Sequence, residues 1–165
     1  MAEHDGSKKA KTRVGGKTGY SEVTLTIDTN IYASGDVLSD TASVYNALDE
    51  TEGTGIIHSI TLLDKDDQAG ALDLVFLRTN VSLGTKNAAI NFTDTVADEI
   101  LGVVEIVAGD YVDLINSQIV TKTNLGIGFQ GDATSNNSIF VAAISRDTKT
   151  YTASGITLKI TILQD

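Results

Sequence analysis

Cysteine is absent from this 165-residue chain. That excludes disulfides, Cys-ligated zinc, iron–sulfur clusters and thiol nucleophiles. Proline is absent as well, against an average of about 5%. Without either residue, folding meets no slow prolyl isomerisation and no disulfide pairing. Trp is missing and aromatic residues make up only 5% of the chain. A core must therefore be built from Ile, Val, Leu and Ala. No run approaches the ~18 apolar residues of a membrane span. The N-terminal lysines lead into no apolar segment, so the sequence predicts no secretory signal and a product folded in a cytoplasm.

The residues that are present describe one domain with an uneven charge. Hydrophobic residues are 41% of the total, and the formal charge is −10. A chain of this length buries roughly 70% of its unfolded surface and sustains its own core. Residues 1–19 carry Lys8, Lys9, Lys11, Arg13 and Lys17 against Glu3 and Asp5, while the remainder has 7 basic and 20 acidic residues. The expected division is a flexible basic arm over 1–19 and an acidic folded body over 20–165. The arm is rich in Gly and Lys and has too little apolar surface to order itself. The body should repel nucleic acid.

The body has the period of β-structure. Val23, Leu25 and Ile27 alternate with polar residues, and Ile156, Leu158, Ile160 and Ile162 alternate more strictly. Alternation with a period of two marks a strand with one face in a core. The two ends of the body should thus be strands lying near one another. Further strands are expected at 56–63, 71–77, 103–107, 118–122, 125–129 and 139–145. In the 71–77 segment Leu72, Leu74 and Phe76 form one face, yet Val75 and Leu77 are apolar on the other, which predicts a strand covered on both sides. Polar residues 64–70 between two strand segments predict a hairpin or a longer strand-to-strand loop. About eight strands at this spacing predict an all-β fold, an antiparallel sandwich or jelly roll. Asp94 to Leu101, followed by Gly102, predicts one short helix. Segment 37–48 fits either a short helix or another strand.

Chemistry-bearing patterns are few. His4 and His58 stand alone, with no His-x-His or His-Glu-x-x-His spacing, so a His-based metal site is not expected. Asp64-Lys65-Asp66-Asp67 could offer oxygen ligands to Ca²⁺, but the spacing misses the EF-hand pattern, and a solvated loop explains it equally. Gly15-Gly16-Lys17-Thr18 ends like a phosphate loop without the required preceding Gly, strand and helix. Gly126-Ile127-Gly128 is too short a pattern to mean anything. Asn80, Asn91 and Asn136 head glycosylation sequons that have no meaning without secretion. No Gly-x-Ser-x-Gly elbow occurs. The expected catalytic, metal and cofactor sets are therefore empty, and an enzyme reading would rest on scattered Asp, Ser and Thr. The basic run Lys8 to Arg13 fits a solubilising tail, a charge-complementary anchor on a partner, or a nucleic-acid contact that lacks stacking aromatics.

Three segments together resemble a known group: Ile31-Tyr32-Ala33-Ser34-Gly35-Asp36-Val37-Leu38, then ITLLDKDDQAGALDLVFL over 60–77, then YTASGITLKITILQD over 151–165. They are similar, in order and spacing, to small virion proteins of tailed bacteriophages, often encoded beside the major capsid protein. The resemblance covers about residues 25–165 and leaves out the arm. It implies a structural protein of the virion, and most directly a capsid decoration (cement) protein. That implies the major capsid protein as partner, a homotrimer, attachment to the capsid surface and no membrane. In this reading Lys8, Lys9, Lys11, Arg13 and Lys17 are the candidate capsid-binding residues. A tail, neck or head-fibre component and a carbohydrate-binding sandwich are the alternatives, the last weakened by the absence of Trp.

Overall fold

The computed structural model describes residues 16–165. Ten strands form two antiparallel sheets: β1 (Lys17–Thr24), β2 (Val37–Val44), β3 (Thr54–Asp64), β4 (Leu72–Leu77), β5 (Ile100–Ile106), β6 (Val112–Asp113), β7 (Gln118–Lys122), β8 (Ile127–Gln130), β9 (Ile139–Ser145) and β10 (Ile156–Gln164). The larger sheet runs β1-β10-β3-β7-β6, with β8 also pairing β3, and the smaller runs β2-β9-β4-β5. The fold is the expected all-β sandwich.

The C-terminal strand organises the larger sheet. β10 pairs β1 along its length on one side and β3 on the other. Ile156, Leu158, Ile160 and Ile162 are each at most 1% exposed, as their alternation requires. The β10–β3 register slips between Thr161 and Ile162, so that His58 is the extra residue of a bulge. The bulge resets the alternation of β3 and lets Ile57 and Ile60 both enter the core, although they are three apart. β3 is long enough to pair with β8 through residues 54–57 and with β7 through residues 60–64.

β4 shows why its sequence lacked a polar face. Leu72, Leu74 and Phe76 enter the core between the sheets. Val75 and Leu77 join a second cluster with Val37, Phe140, Ala142 and Ile144 on the opposite face of the smaller sheet. The β4–β5 connection covers that face, packing Leu83, Val81 and Val96 onto it. Its two ends are tied together. Arg78 donates to both carboxylate oxygens of Glu99 at 2.9 and 3.0 Å, and the Thr79 hydroxyl donates to the same group at 2.9 Å. The sandwich also closes at its sides. Ile27, just past β1, bridges Ser39 of β2. At the other side, Gly102 of β5 lies so near Ile127 of β8 that an added Cβ would meet its side chain at 3.1 Å.

Several expected boundaries are corrected. Regular structure begins at Lys17, so Lys17, Thr18 and Gly19 belong to β1 and not to the arm. The arm residues Lys8, Lys9, Lys11 and Arg13, and His4, lie outside the described residues. The predicted helix over 94–101 shrinks to α1 (Asp94–Ala97). Ile100 and Gly102 instead pair Leu77 and Phe76 in β5, a tertiary pairing that overrides the local helical signal. Of the two connections expected after β3, the longer strand-to-strand loop is the one found: residues 65–71 cross between the sheets, because β3 and β4 lie in different sheets. Segment 37–48 is a strand over its first eight residues.

Leu158→Ala should cost about 2–5 kcal/mol, since it opens a cavity where the two neighbouring strands converge. The adjacent outward Lys159→Ala should change stability by no more than about 0.5 kcal/mol. Urea denaturation of both variants checks the pair, and equal losses would contradict the assigned faces.

Candidate interaction surface

The acidic loop after β3 is occupied by the protein's own backbone. Asp64 is fully buried, and its carboxylate accepts the backbone N–H groups of Asp66, Gln68 and Ala69 at 3.0, 2.8 and 2.9 Å. Burial raises the Asp64 carboxyl above its ordinary value, and the three backbone donors act against that rise. Asp66 accepts the backbone N–H and the hydroxyl of Thr152 at 2.7 and 2.9 Å. Gly155 packs against the Asp66 carboxylate, where any side chain would collide. Asp67 accepts from the Gln118 amide at 2.7 Å. The three carboxylates therefore bind three different parts of the chain and do not converge. Among the described residues no group of three or more His, Cys, Asp or Glu gathers to hold a metal ion.

The other singled-out residues are dispersed. His58 is half-buried at the β-bulge, and its carbonyl accepts the Leu125 N–H at 3.0 Å. Lys17 pairs with Asp49 at the start of β1. Thr18 lies in a strand, so no helix follows the phosphate-loop-like sequence. Gly126 holds a left-handed turn before β8 at φ +66°. Among the described residues no helix is long and apolar enough to cross a membrane. Tyr32 and Tyr151 are buried in the core and Tyr111 is half-buried against it. Burial holds Tyr32 at about 12 and pushes Tyr111 and Tyr151 upward as well. Tyr111 donates to the Gly70 carbonyl at 2.8 Å, and Tyr32 donates to that of Leu38 at 2.9 Å. These hydroxyls are tied into packing.

What the fold does leave open is the outer face of the larger sheet. The alternating positions opposite the core are Thr18, Tyr20, Glu22 and Thr24 in β1, and Thr157, Lys159, Thr161 and Leu163 in β10. Ile56, Ser59, Thr61 and Leu63 of β3 continue the face, followed by Ile119 and Thr121 of β7 and Val112 of β6. Most of these side chains are exposed or half-buried, Thr157 excepted. The charged members of this set are Glu22 and Lys159, which lie directly opposite one another. Thr24 and Thr157 share a hydroxyl contact at 3.3 Å, as do Thr61 and Thr121 at 3.4 Å. On a body with a surplus of 13 acidic charges over 20–165, this is a charge-poor surface of hydroxyls and aliphatics. Depletion of charge is the compositional mark of an interface centre.

Two apolar features stand at opposite ends of that sheet. At the Asp64 end of β3, the β6–β7 hairpin projects Val112, Leu114 and Ile115, exposed by 60, 50 and 83%. Ile115 has φ +78°, a left-handed conformation that costs a β-branched residue about 1–2 kcal/mol. The Asp113 carboxylate holds the turn by accepting the Ile115 N–H at 2.6 Å. At the Thr54 end lies a shallow cleft of about 240 Å³, lined by Thr54, Gly55, Ile56, Leu163, Gln164 and Asp165.

No family model matches the chain, and no curated protein matches it either. The open face was not anticipated from the sequence. The strand at 118–122 and the alternation of β10 held the signal, but which outward residues remain uncovered depends on where the β4–β5 connection lands.

Asp64→Ala should cost about 2–4 kcal/mol, because three half-buried N–H groups lose their acceptor together. Thermal melts in Ca²⁺ and in chelator should coincide; a calcium-dependent rise in Tm would show that the loop binds metal.

Acid should also weaken the fold. The Arg78 hydrogen bond holds Glu99 below its ordinary value, the Lys122 hydrogen bond does so for Asp110, and the Thr134 hydroxyl for Asp132. A carboxyl depressed in the folded state adds stability above its unfolded pKa, about 4, and loses it as pH falls through the folded value. Asp64, raised in the folded state, works in the opposite sense. Denaturation midpoints should therefore fall below about pH 4, and Glu99→Gln should flatten that fall. An unchanged acid profile in the variant would remove Glu99 from this role.

Proposed function

We propose that this protein is a decoration (cement) subunit of a tailed-phage virion, binding the outer surface of the major capsid lattice and strengthening the head. The observation that carries the reading is the open, charge-poor face of the six-stranded sheet. It is a broad surface held by cross-strand pairing, and the cleft at its Thr54 end is shallow and lined mainly by Ile56, Leu163 and backbone-rich neighbours. Such a face suits contact with another protein. The resemblance of segments 31–38, 60–77 and 151–165 to phage virion proteins supplies the kind of partner.

The physics of the role is simple. A subunit that binds the assembled lattice and not its dissociated parts stabilises the lattice by mass action. A trimer engages several lattice subunits at once, and each contact raises the effective concentration of the next. Lys8, Lys9, Lys11 and Arg13 would add a charge-assisted contact to the capsid. Lys17, paired with Asp49 in β1, is better placed to fix the origin of the arm than to reach a partner.

Image reconstruction of the virion tests the reading: density for this chain on the outer capsid surface is expected, and its absence there or its presence in the tail overturns the proposal. Removal of residues 1–15 should leave the sandwich folded, because β1 starts at Lys17. The truncated protein should bind heads more weakly at low salt and match the full chain at high salt, where charge contacts are screened. Equal binding at low salt would show that the arm is dispensable.

A further inference from the structure

We infer that copies of this chain associate head to tail, the β6–β7 tip of one copy seating in the Ile56–Leu163 cleft of the next. This deepens the oligomeric part of the proposed function, and it can stand or fall separately from the capsid role.

The argument begins with Ile115. It is the most exposed large apolar residue described, and it is also held in a left-handed conformation that disfavours branched side chains. An isolated monomer gains nothing from either feature. Gly or Asn at that position would relieve the backbone and the exposure together. Leu114 and Val112 extend the tip into an apolar ridge. The turn is prepared in this form by the Asp113 carboxylate on the Ile115 N–H and by the Leu114 N–H donating to the Ser117 carbonyl at 2.9 Å.

A receptor for the ridge lies on the same molecule, where the ridge cannot reach it. β3 runs from the cleft at Thr54 to the tip end at Asp64, a span of 11 residues. At about 3.3 Å per residue the two features are roughly 30 Å apart. The cleft's aliphatic walls, Ile56 and Leu163, are 43 and 41% exposed. A void of about 150 Å³ suffices to take up benzene, so a cleft of about 240 Å³ accommodates a four-carbon side chain. Glu22 and Lys159, the charged members of the face, lie opposite one another, while Asp165 lines the cleft and Asp113 stands in the tip, so the contact rests on apolar fit and not on charge complementarity. A knob and a hole at different places on one protein make a heterologous contact, which closes into a ring when the rotation permits. The trimer proposed above is such a ring.

The absence of cysteine makes the contact directly testable in the full chain. Ile115→Cys and Leu163→Cys are prepared as single variants, mixed, and oxidised. A disulfide requires Cα atoms within about 7 Å. The expected result is a cross-linked dimer in the mixture, at least tenfold more abundant than in either variant alone. The double variant should give a covalent trimer. Ile115→Asp should keep the native circular dichroism spectrum and raise the concentration for half-assembly at least tenfold by light scattering. A full chain that stays monomeric at its highest soluble concentration overturns the inference. So does cross-linking in the single variants alone, which would indicate like-to-like contacts. A virion reconstruction lacking this chain would overturn the capsid role while leaving the cross-linking result untouched.

Discussion

The structure depends on β10 being satisfied on both edges at once. Its backbone completes ladders with β1 and β3, and its inward aliphatic residues fill the centre of the core. A core poor in aromatics must fit by close packing of branched aliphatics, which tolerates little slip in register. A one-residue slip of β10 would exchange Ile160 for Lys159 in the core. The bulge at His58 is the local adjustment that keeps β3 in phase along its whole length.

The two sheets are treated differently by the rest of the chain. The smaller sheet is covered on its outer face by the β4–β5 connection, clipped at its neck by Arg78, Thr79 and Glu99. The larger sheet keeps its outer face in solvent. Acidic side chains that might have formed a binding site are spent on loop construction, Asp64 on three backbone donors and Asp66 on the Thr152 turn. The result separates loops whose acidic groups are internally satisfied from one broad, uncovered sheet face.

Much of the fold was legible because strand alternation survives any tertiary arrangement. β7 and β9 appear with the predicted bounds, and the doubly apolar sequence of β4 correctly implied cover on both faces. The helix was misread at its end. Asp94 to Leu101 carries helix-start signals, but Ile100 is drawn into β5 by Leu77, a contact 23 positions away in sequence. Gly102 resembled a helix stop and instead permits the close approach of Ile127. Lys17 looked like arm because charge and glycine dominate its neighbourhood. Its strand identity comes from pairing with Gln164 at the far end of the chain.

The candidate surface was the least legible part. Val112, Leu114 and Ile115 appear in the sequence as ordinary apolar residues, and nothing local distinguishes them from core. The sequence by itself determined the β class, the aliphatic core, the lack of thiol chemistry and the opposed charges of arm and body, because composition and period act residue by residue. Only the tertiary structure decided that the acidic loop is internally satisfied, that one sheet is covered and the other open, and that a strained apolar tip and an apolar cleft stand at opposite ends of β3. Those outcomes depend on which distant segments meet, and exposure is a property of the whole packed chain.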